Sequence, residues 1–174
     1  HFYGVELNSK VNQSKKNISN LIRCKKEEIC FTSGATEAIN MALRGYTELN
    51  INSGNHIITT KVEHKAVLEV CKYLENIGFD ITYLDVDENG QINLEELKNS
   101  IKTETILVSM LWVNNETGII QDIKSISEIV KKTNAKLFID ATQAVGKIDV
   151  NLNQLHIDML CFSGHKLHGP KGIG

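Results

Sequence analysis

The chain has 174 residues, of which 41% are hydrophobic and 23% charged, so it can bury the core of about one globular domain. Its net charge of −2 and its scattered lysines form no basic face, which argues against direct binding to nucleic acid or an anionic membrane. No apolar run approaches the ~20 residues of a membrane span, and the first residues lack the features of a signal peptide. We therefore expect a cytoplasmic protein.

The cysteines and the chain ends carry two further expectations. Four cysteines are too irregularly spaced for a metal knuckle or a redox pair, so we expect reduced thiols at Cys24, Cys30, Cys71 and Cys161. The chain begins with His rather than Met and stops within a glycine-rich turn at Gly174. We expect it to be a piece of a longer protein.

Short β-branched runs alternate with longer segments of helical period, which is typical of βαβ units around a mainly parallel sheet. The sequence therefore predicts an α/β fold. Six strands are predicted, at residues 28–32, 56–61, 80–86, 105–112, 136–140 and 158–163.

Three helices are the clearest. The opening stretch is predicted as helix to about Ile22. Another follows His64 and stops at Gly78, because apolar residues recur three and four positions apart at Val67, Val70, Cys71 and Leu74. A third follows Asp122, a predicted N-cap. No repeat or Pro-rich linker divides the chain, so we predict a single domain over residues 1–174.

Polar segments follow four of the predicted strands, at residues 33–36, 114–116, 140–143 and 163–166. The carboxyl ends of parallel strands form a crevice in α/β sheets, so we expect one pocket there. Segment 33–36, Ser-Gly-Ala-Thr, offers hydroxyls and a helix N-terminus that together could hold a phosphate. Equally, Ser33 or Thr36 could simply cap the helix.

Two charged residues stand at strand ends. Asp140 ends an apolar strand, so its carboxylate should be partly buried and need a cation, such as a protonated pyridine nitrogen. It could instead cap a helix.

Lys166 lies between an apolar strand and a glycine turn. If it is buried beside other cations, its amine could form a Schiff base with a carbonyl cofactor. Most lysines are only solvated surface residues.

Five segments, in this order and spacing, carry a resemblance to a known family. They are SGATEAINMAL, KVEHKAVLEV, VNNETG, DATQAVGK and SGHKLHGPKGIG. Together they resemble the class-V aminotransferase family, in particular its cysteine desulfurases, along essentially the whole chain. The resemblance implies the cofactor pyridoxal 5'-phosphate (PLP) and a three-layer αβα architecture, the central part of the large domain of a PLP-dependent transferase.

The resemblance also assigns roles to residues. Lys166 would bind the cofactor covalently and Asp140 would pair with its pyridine nitrogen, while His64 would stack on the ring. Lys166 and His64 are the catalytic candidates. Gln143 and Asn115 resemble residues around the phenolic oxygen. The family residues that hold the cofactor phosphate have counterparts in this chain at Ala35, Thr36, Ser163 and His165.

For function, the resemblance implies transfer of sulfur from L-cysteine, with alanine and an enzyme persulfide as products. The full-length protein would be a homodimer that passes sulfur to an iron–sulfur scaffold or another acceptor protein, or to tRNA thiolation. In the family the attacking cysteine follows the lysine at a distance, so we expect it beyond Gly174 and expect this piece alone to be inactive. Another class-V enzyme, such as a selenocysteine lyase or an aminotransferase-like relative, is the alternative within the family.

An acidic segment suggests a different class of protein. Residues 85–96 fit the loop pattern of an EF-hand, which would make the chain a non-catalytic calcium-binding module. A true EF-hand has a helix on both sides, yet residues 80–86 alternate with the period of a strand. His165 and His168 lack a third ligand. We therefore predict a turn at 85–96 and no metal site.

Overall fold

The computed structural model describes residues 2–174, and side chains from residue 4 onward. Five helices and five strands form the fold. The helices are α1 (Phe2–Ile22), α2 (Ala35–Leu49), α3 (Lys65–Asn76), α4 (Leu94–Ser100) and α5 (Ile123–Val130). The strands are β1 (His56–Thr60), β2 (Asp80–Leu84), β3 (Thr105–Leu111), β4 (Lys136–Asp140) and β5 (Met159–Cys161).

All five strands are parallel, in the order β2-β1-β3-β4-β5. Alternate strand residues face opposite sides of such a sheet, and both faces are covered here. In β4, Leu137 and Ile139 pack with α5, whereas Phe138 packs with α2 and α3. The two cores confirm the predicted three-layer αβα architecture.

The predicted helix boundaries are confirmed where the capping chemistry is clear. Asp122 accepts a hydrogen bond from the Ser125 N–H at 3.0 Å and begins α5. His64 is the N-cap of α3, and Gly78 follows that helix with a φ of 103°. The opening helix ends at Ile22, as predicted.

The strand predicted at residues 28–32 is wrong. A 3-10 turn covers Lys26–Glu28, and an extended segment without strand pairing follows it. Only Thr32 pairs with another segment, exchanging two backbone hydrogen bonds with Gly174. A β-branched run becomes a strand when a neighbour satisfies its backbone groups, and within the described residues this run has one such partner residue.

The acidic segment 85–96 follows β2, so the strand predicted on its N-terminal side is confirmed. Asp87 accepts hydrogen bonds from the N–H groups of Asn89 and Gln91 at 2.9 and 2.8 Å, and Gly90 has a φ of 76°. The acidic and amide side chains thus build a turn by local hydrogen bonds. In residues 2–174, no helix is both long and apolar enough to cross a membrane.

Candidate active site

The carboxyl ends of β1, β3, β4 and β5 meet at one edge of the sheet, where a pocket of about 500 Å³ opens. All the residues predicted for the site line this pocket: Ala35, Thr36, His64, Asn115, Asp140, Gln143, Ser163, His165 and Lys166. They come from segments far apart in the chain. The fold brings them together because parallel strands deliver their C-terminal loops to the same edge.

Asp140 forms the floor of the pocket as the last residue of β4, and it is 2% exposed. Its Oδ1 accepts a hydrogen bond from the Thr142 N–H at 2.9 Å, and the buried Cys161 thiol donates to the same oxygen at 3.8 Å. It forms no ion pair with any residue of the described chain. A buried carboxylate without a cation is costly, so this site favours a positively charged ligand group.

Lys166 lies in the short 3-10 turn Gly164–Leu167 that follows β5. The condition of burial is not met in the described chain, because the side chain of Lys166 is exposed at the rim of the pocket. The physical reason is its place in the sheet: β5 is an edge strand in the described chain, so the turn is covered on one side only. No carboxylate of residues 4–174 pairs with its amine.

The N-terminus of α2 points at the pocket, and the capping alternative for Ser33 and Thr36 is wrong. The N-cap is Gly34, which has no side chain to offer. Ser33 instead donates from both its N–H and its hydroxyl to Glu37 at 2.6 Å, which lowers the pKa of that carboxyl. The first N–H groups of α2 therefore lack a side-chain acceptor, which is the arrangement that binds phosphate.

A close backbone approach holds α2 beside the lysine turn. Gly174 exchanges hydrogen bonds of 2.8 and 2.9 Å with Thr32, next to Ser33 and Gly34. A Cβ on Gly174 would lie 2.6 Å from the carbonyl carbon of Gly34. Only glycine fits there, so the turn that carries Lys166 can approach the anion-binding end of α2.

His64 is placed by the start of α3. Its Nδ1 accepts a hydrogen bond from the Ala66 N–H at 3.1 Å, so the proton of the neutral ring lies on Nε2. The neighbouring Asn114 is a structural residue. Its Oδ1 binds the N–H groups of Glu116 and Thr117 at 2.9 Å, and its Nδ2 donates to the Val62 carbonyl at 3.1 Å. These bonds shape the loop that presents Asn115.

The other polar side chains have local partners. The Ser163 hydroxyl lies 2.8 Å from Nδ1 of His165, and Ser163 itself is buried. Gln143 Oε1 accepts a hydrogen bond from Nζ of Lys147. Both pairs present groups that can bind oxygen atoms of a ligand.

Sequence reasoning missed Glu63. It is 5% exposed, and it accepts hydrogen bonds from the Thr60 hydroxyl at 3.0 Å and the Leu111 N–H at 2.8 Å. Burial raises the pKa of the Glu63 carboxyl to about 8, against the effect of these two bonds, and the nearby Asp140 adds to the rise. The available signal was its position: it is an acidic residue in the turn that follows the buried strand β1.

None of the four cysteines lines the pocket. Cys71 and Cys161 are buried, and desolvation raises the pKa of both thiols, to about 12 for Cys71. Burial followed by the charge of Glu28 raises the pKa of Cys24. Within the described chain, no group of three His, Cys, Asp or Glu residues could hold a metal ion.

Known proteins are similar to this chain in both sequence and fold. The aminotransferase class-V family matches residues 1–174. The chain is 51% identical to the cysteine desulfurase IscS of Buchnera aphidicola subsp. Baizongia pistaciae, covering all of this chain and 43% of that protein. The solved structure of SspA in complex with cysteine is 36% identical with a TM-score of 0.97, over this whole chain and 50% of that one. A NifS-like protein is 42% identical with a TM-score of 0.97, over this whole chain and 48% of that one. The chain belongs to the aminotransferase class-V family.

Proposed function

We propose that the full-length protein is a PLP-dependent cysteine desulfurase that takes sulfur from L-cysteine and yields alanine and an enzyme persulfide. Class-V aminotransferases and cysteine desulfurases use PLP. The observation that carries the proposal is the buried, cation-free carboxylate of Asp140 in the same pocket as the unpaired amine of Lys166. The names of the matched relatives and the cysteine complex of one of them support the substrate.

The residues of the pocket fit PLP at both of its charged ends. The Asp140 carboxylate offers a partner for a protonated ring nitrogen, and the uncapped N–H groups at Ala35 and Thr36 offer an anion site for the phosphate. Ser163 and His165 add donors to the phosphate side. His64 would cover the ring, Gln143 and Asn115 would bind its phenolic oxygen, and Lys166 would hold its aldehyde carbon.

When bound, PLP supplies an electron sink for negative charge at the substrate Cα. Asp140 contributes by holding a proton on the ring nitrogen, because its buried negative charge favours the protonated form. Lys166, on the turn Gly164–Leu167, would hold the cofactor and would supply the amine that moves the substrate Cα proton. The ring of His64, whose Nδ1 accepts from the Ala66 N–H, presents Nε2–H as a hydrogen-bond donor that would orient the substrate.

The sulfur-attacking cysteine is proposed to lie beyond Gly174, and this piece alone to be inactive. Cys71 and Cys161 are buried thiols, and Cys24 and Cys30 lie outside the pocket. An attacking sulfur must be a thiolate that reaches the substrate, and burial opposes both conditions. The chain spans 43% of the matched desulfurase, and we propose that a small C-terminal domain follows this PLP-binding one in the full-length protein.

The partners follow from the same proposal. The full-length protein would be a cytoplasmic homodimer, and its persulfide would pass to an iron–sulfur scaffold, to another acceptor protein or to tRNA thiolation. Neither nucleic acid nor membrane is a direct partner in this proposal, in keeping with a net charge of −2.

The test is a product assay on the full-length protein with PLP. We expect equimolar alanine and bound or released sulfur from L-cysteine, and no alanine from Lys166→Ala. Parallel incubation with L-selenocysteine distinguishes the selenocysteine lyase alternative, for which turnover of the selenium substrate alone is expected. Transamination of L-cysteine without sulfur release would instead identify an aminotransferase and contradict the proposal.

A further inference from the structure

Glu63 is a buried acidic residue that the proposed chemistry does not use. Its Oε1 accepts both of its hydrogen bonds, from Thr60 and Leu111, whereas its Oε2 is enclosed without a partner in the described part of the chain. It forms no ion pair with a described residue. An ionised carboxylate in such a place would leave one oxygen desolvated and uncompensated, so the geometry favours the uncharged acid.

The hydrogen bonds of Glu63 connect the ends of two strands next to the site. Thr60 ends β1, and Leu111 ends β3 as the direct neighbour of Asp140 in the parallel ladder. The loop before His64 is tied to the end of β3 twice, by Glu63 to Leu111 and by Asn114 to the Val62 carbonyl. His64 caps α3 immediately afterwards, so the placement of His64 in the pocket depends on this link.

The charges around Glu63 favour the same protonation state. Asp140 on β4 is the other buried carboxyl, and it acts to raise the pKa of Glu63. The remaining titratable groups that face it are the thiols of Cys71 on α3 and Cys161 on β5, and Glu63 in turn helps to raise the pKa of both. Two adjacent buried carboxyls do not readily ionise together, so one of the pair keeps its proton.

We propose that Glu63 is a positioning residue that, as an uncharged acid, ties the ends of β1 and β3 together next to His64 and leaves Asp140 as the anion that faces the cofactor. The role of Glu63 in presenting Asp140 to a cofactor rests on the proposed PLP function. Its structural content, a neutral buried Glu63, is independent of PLP.

The first test is the pH dependence of unfolding of the full-length protein, with and without PLP, for wild type and Glu63→Gln. A group whose pKa is raised on folding gives stability that is present at low pH and lost as the pH rises. The folding equilibrium constant of wild type should therefore fall by up to about tenfold per pH unit, relative to Glu63→Gln, between the ordinary value of 4.5 and about 8. The matched control Glu69→Gln, on the exposed face of α3, should keep the wild-type profile. Identical slopes for wild type and Glu63→Gln would overturn the proposal.

The second test separates positioning from bulk stability. The amide of Glu63→Gln can still accept from Thr60 and Leu111, whereas Glu63→Ala leaves the buried Leu111 N–H without an acceptor. We expect PLP affinity, followed by absorbance, to stay near the wild-type value in Glu63→Gln and to fall about tenfold in Glu63→Ala. Equal affinity in both variants would contradict the positioning role. If wild type itself bound no PLP, the proposed function would fail, while the pH profile would still decide whether Glu63 is neutral.

Discussion

The floor and the rim of the pocket are built in different ways. We define the floor as Asp140, which lines the pocket at the end of β4, together with its buried neighbours Glu63 and Cys161, which do not line it. The rim consists of His64, Asn115 and Lys166, which are exposed on turns and a helix start. The floor is fixed by the sheet and by hydrogen bonds that exclude water, whereas the rim relies on caps and loops.

The buried groups of the floor determine the charge of the site, whereas the exposed groups of the rim are free to move during the reaction. Buried groups feel a low dielectric, so one neighbour decides which of them is ionised. Exposed groups are solvated and keep conformational freedom, which a reacting amine needs to engage and release its partners. We therefore expect floor variants to change the electrostatics of a bound cofactor, and rim variants to change covalent attachment or local helix stability.

The largest expected effect is at the rim, from Lys166→Ala. Borohydride reduction of the full-length protein with PLP should label Lys166, and the label should be lost completely in the variant because no other amine is proposed to hold the aldehyde. Mass spectrometry of the peptides measures this. Lys171→Ala is the matched control, since Lys171 is an exposed lysine that lines the same pocket. Equal labelling of Lys171 in wild type would show that the rim has no selective amine.

The next effect is at the floor, from Asp140→Asn. The amide oxygen can still accept from the Thr142 N–H, so the fold should persist while the buried charge is lost. We expect the turnover number for L-cysteine to fall by about 100-fold, the usual scale for removing one preorganised electrostatic group. Asp85→Asn provides the control, because Asp85 also follows a strand but is exposed and paired with Lys61. Wild-type turnover in Asp140→Asn would remove the distinction between floor and rim.

A smaller effect is expected at Gly174, where the segment that follows Lys166 meets the start of α2. Gly174→Ala places a Cβ against the backbone of Gly34, and overpacking of this kind costs roughly 1–3 kcal/mol. Denaturant unfolding measures the loss, and PLP titration should show weaker binding because α2 is pushed from the lysine turn. Gly45→Ala makes the same change inside α2 with no atom within 4 Å of the new Cβ, and it should stabilise. A neutral Gly174→Ala would refute the close approach.

The smallest effect separates the two roles of His64. His64→Ala removes the acceptor for the Ala66 N–H and should destabilise the protein by about 1 kcal/mol. His64→Asn can still cap α3 but offers no aromatic ring, so its stability should stay near that of wild type while PLP binding weakens as in His64→Ala. Thermal unfolding and absorbance titration give the two readouts. Equal stability of the two variants would mean that the cap contributes nothing.

The sequence predicted the fold where local chemistry and periodicity agree. Strand β4 matches residues 136–140 because it is an apolar run closed by Asp140, and α5 starts after a capping Asp122. The strand prediction for residues 28–32 failed because β-branched residues indicate only a preference for extended backbone. They carry no information on whether a partner strand exists.

The members of the pocket could be predicted, whereas their protonation and exposure could not. Motif order placed the lysine, the aspartate and the histidine at strand ends, and strand ends converge. The exposure of Lys166 depends on β5 being an edge strand of the described chain, and the proposed neutral state of Glu63 depends on its burial and on its bonds to the ends of β1 and β3. Both are properties of tertiary packing, and a sequence pattern does not contain them.

The pairing of Thr32 with Gly174 has a consequence for how the protein folds. These residues lie almost the whole length of the chain apart, and contacts of such separation form late because loop-closure entropy must first be overcome. The βαβ units can assemble from neighbouring segments, but the phosphate side of the pocket closes only when the segment that contains Gly174 docks beside α2. A ligand that binds across this seam selects the fully folded state, so the cofactor should protect the protein against local opening in proportion to its concentration.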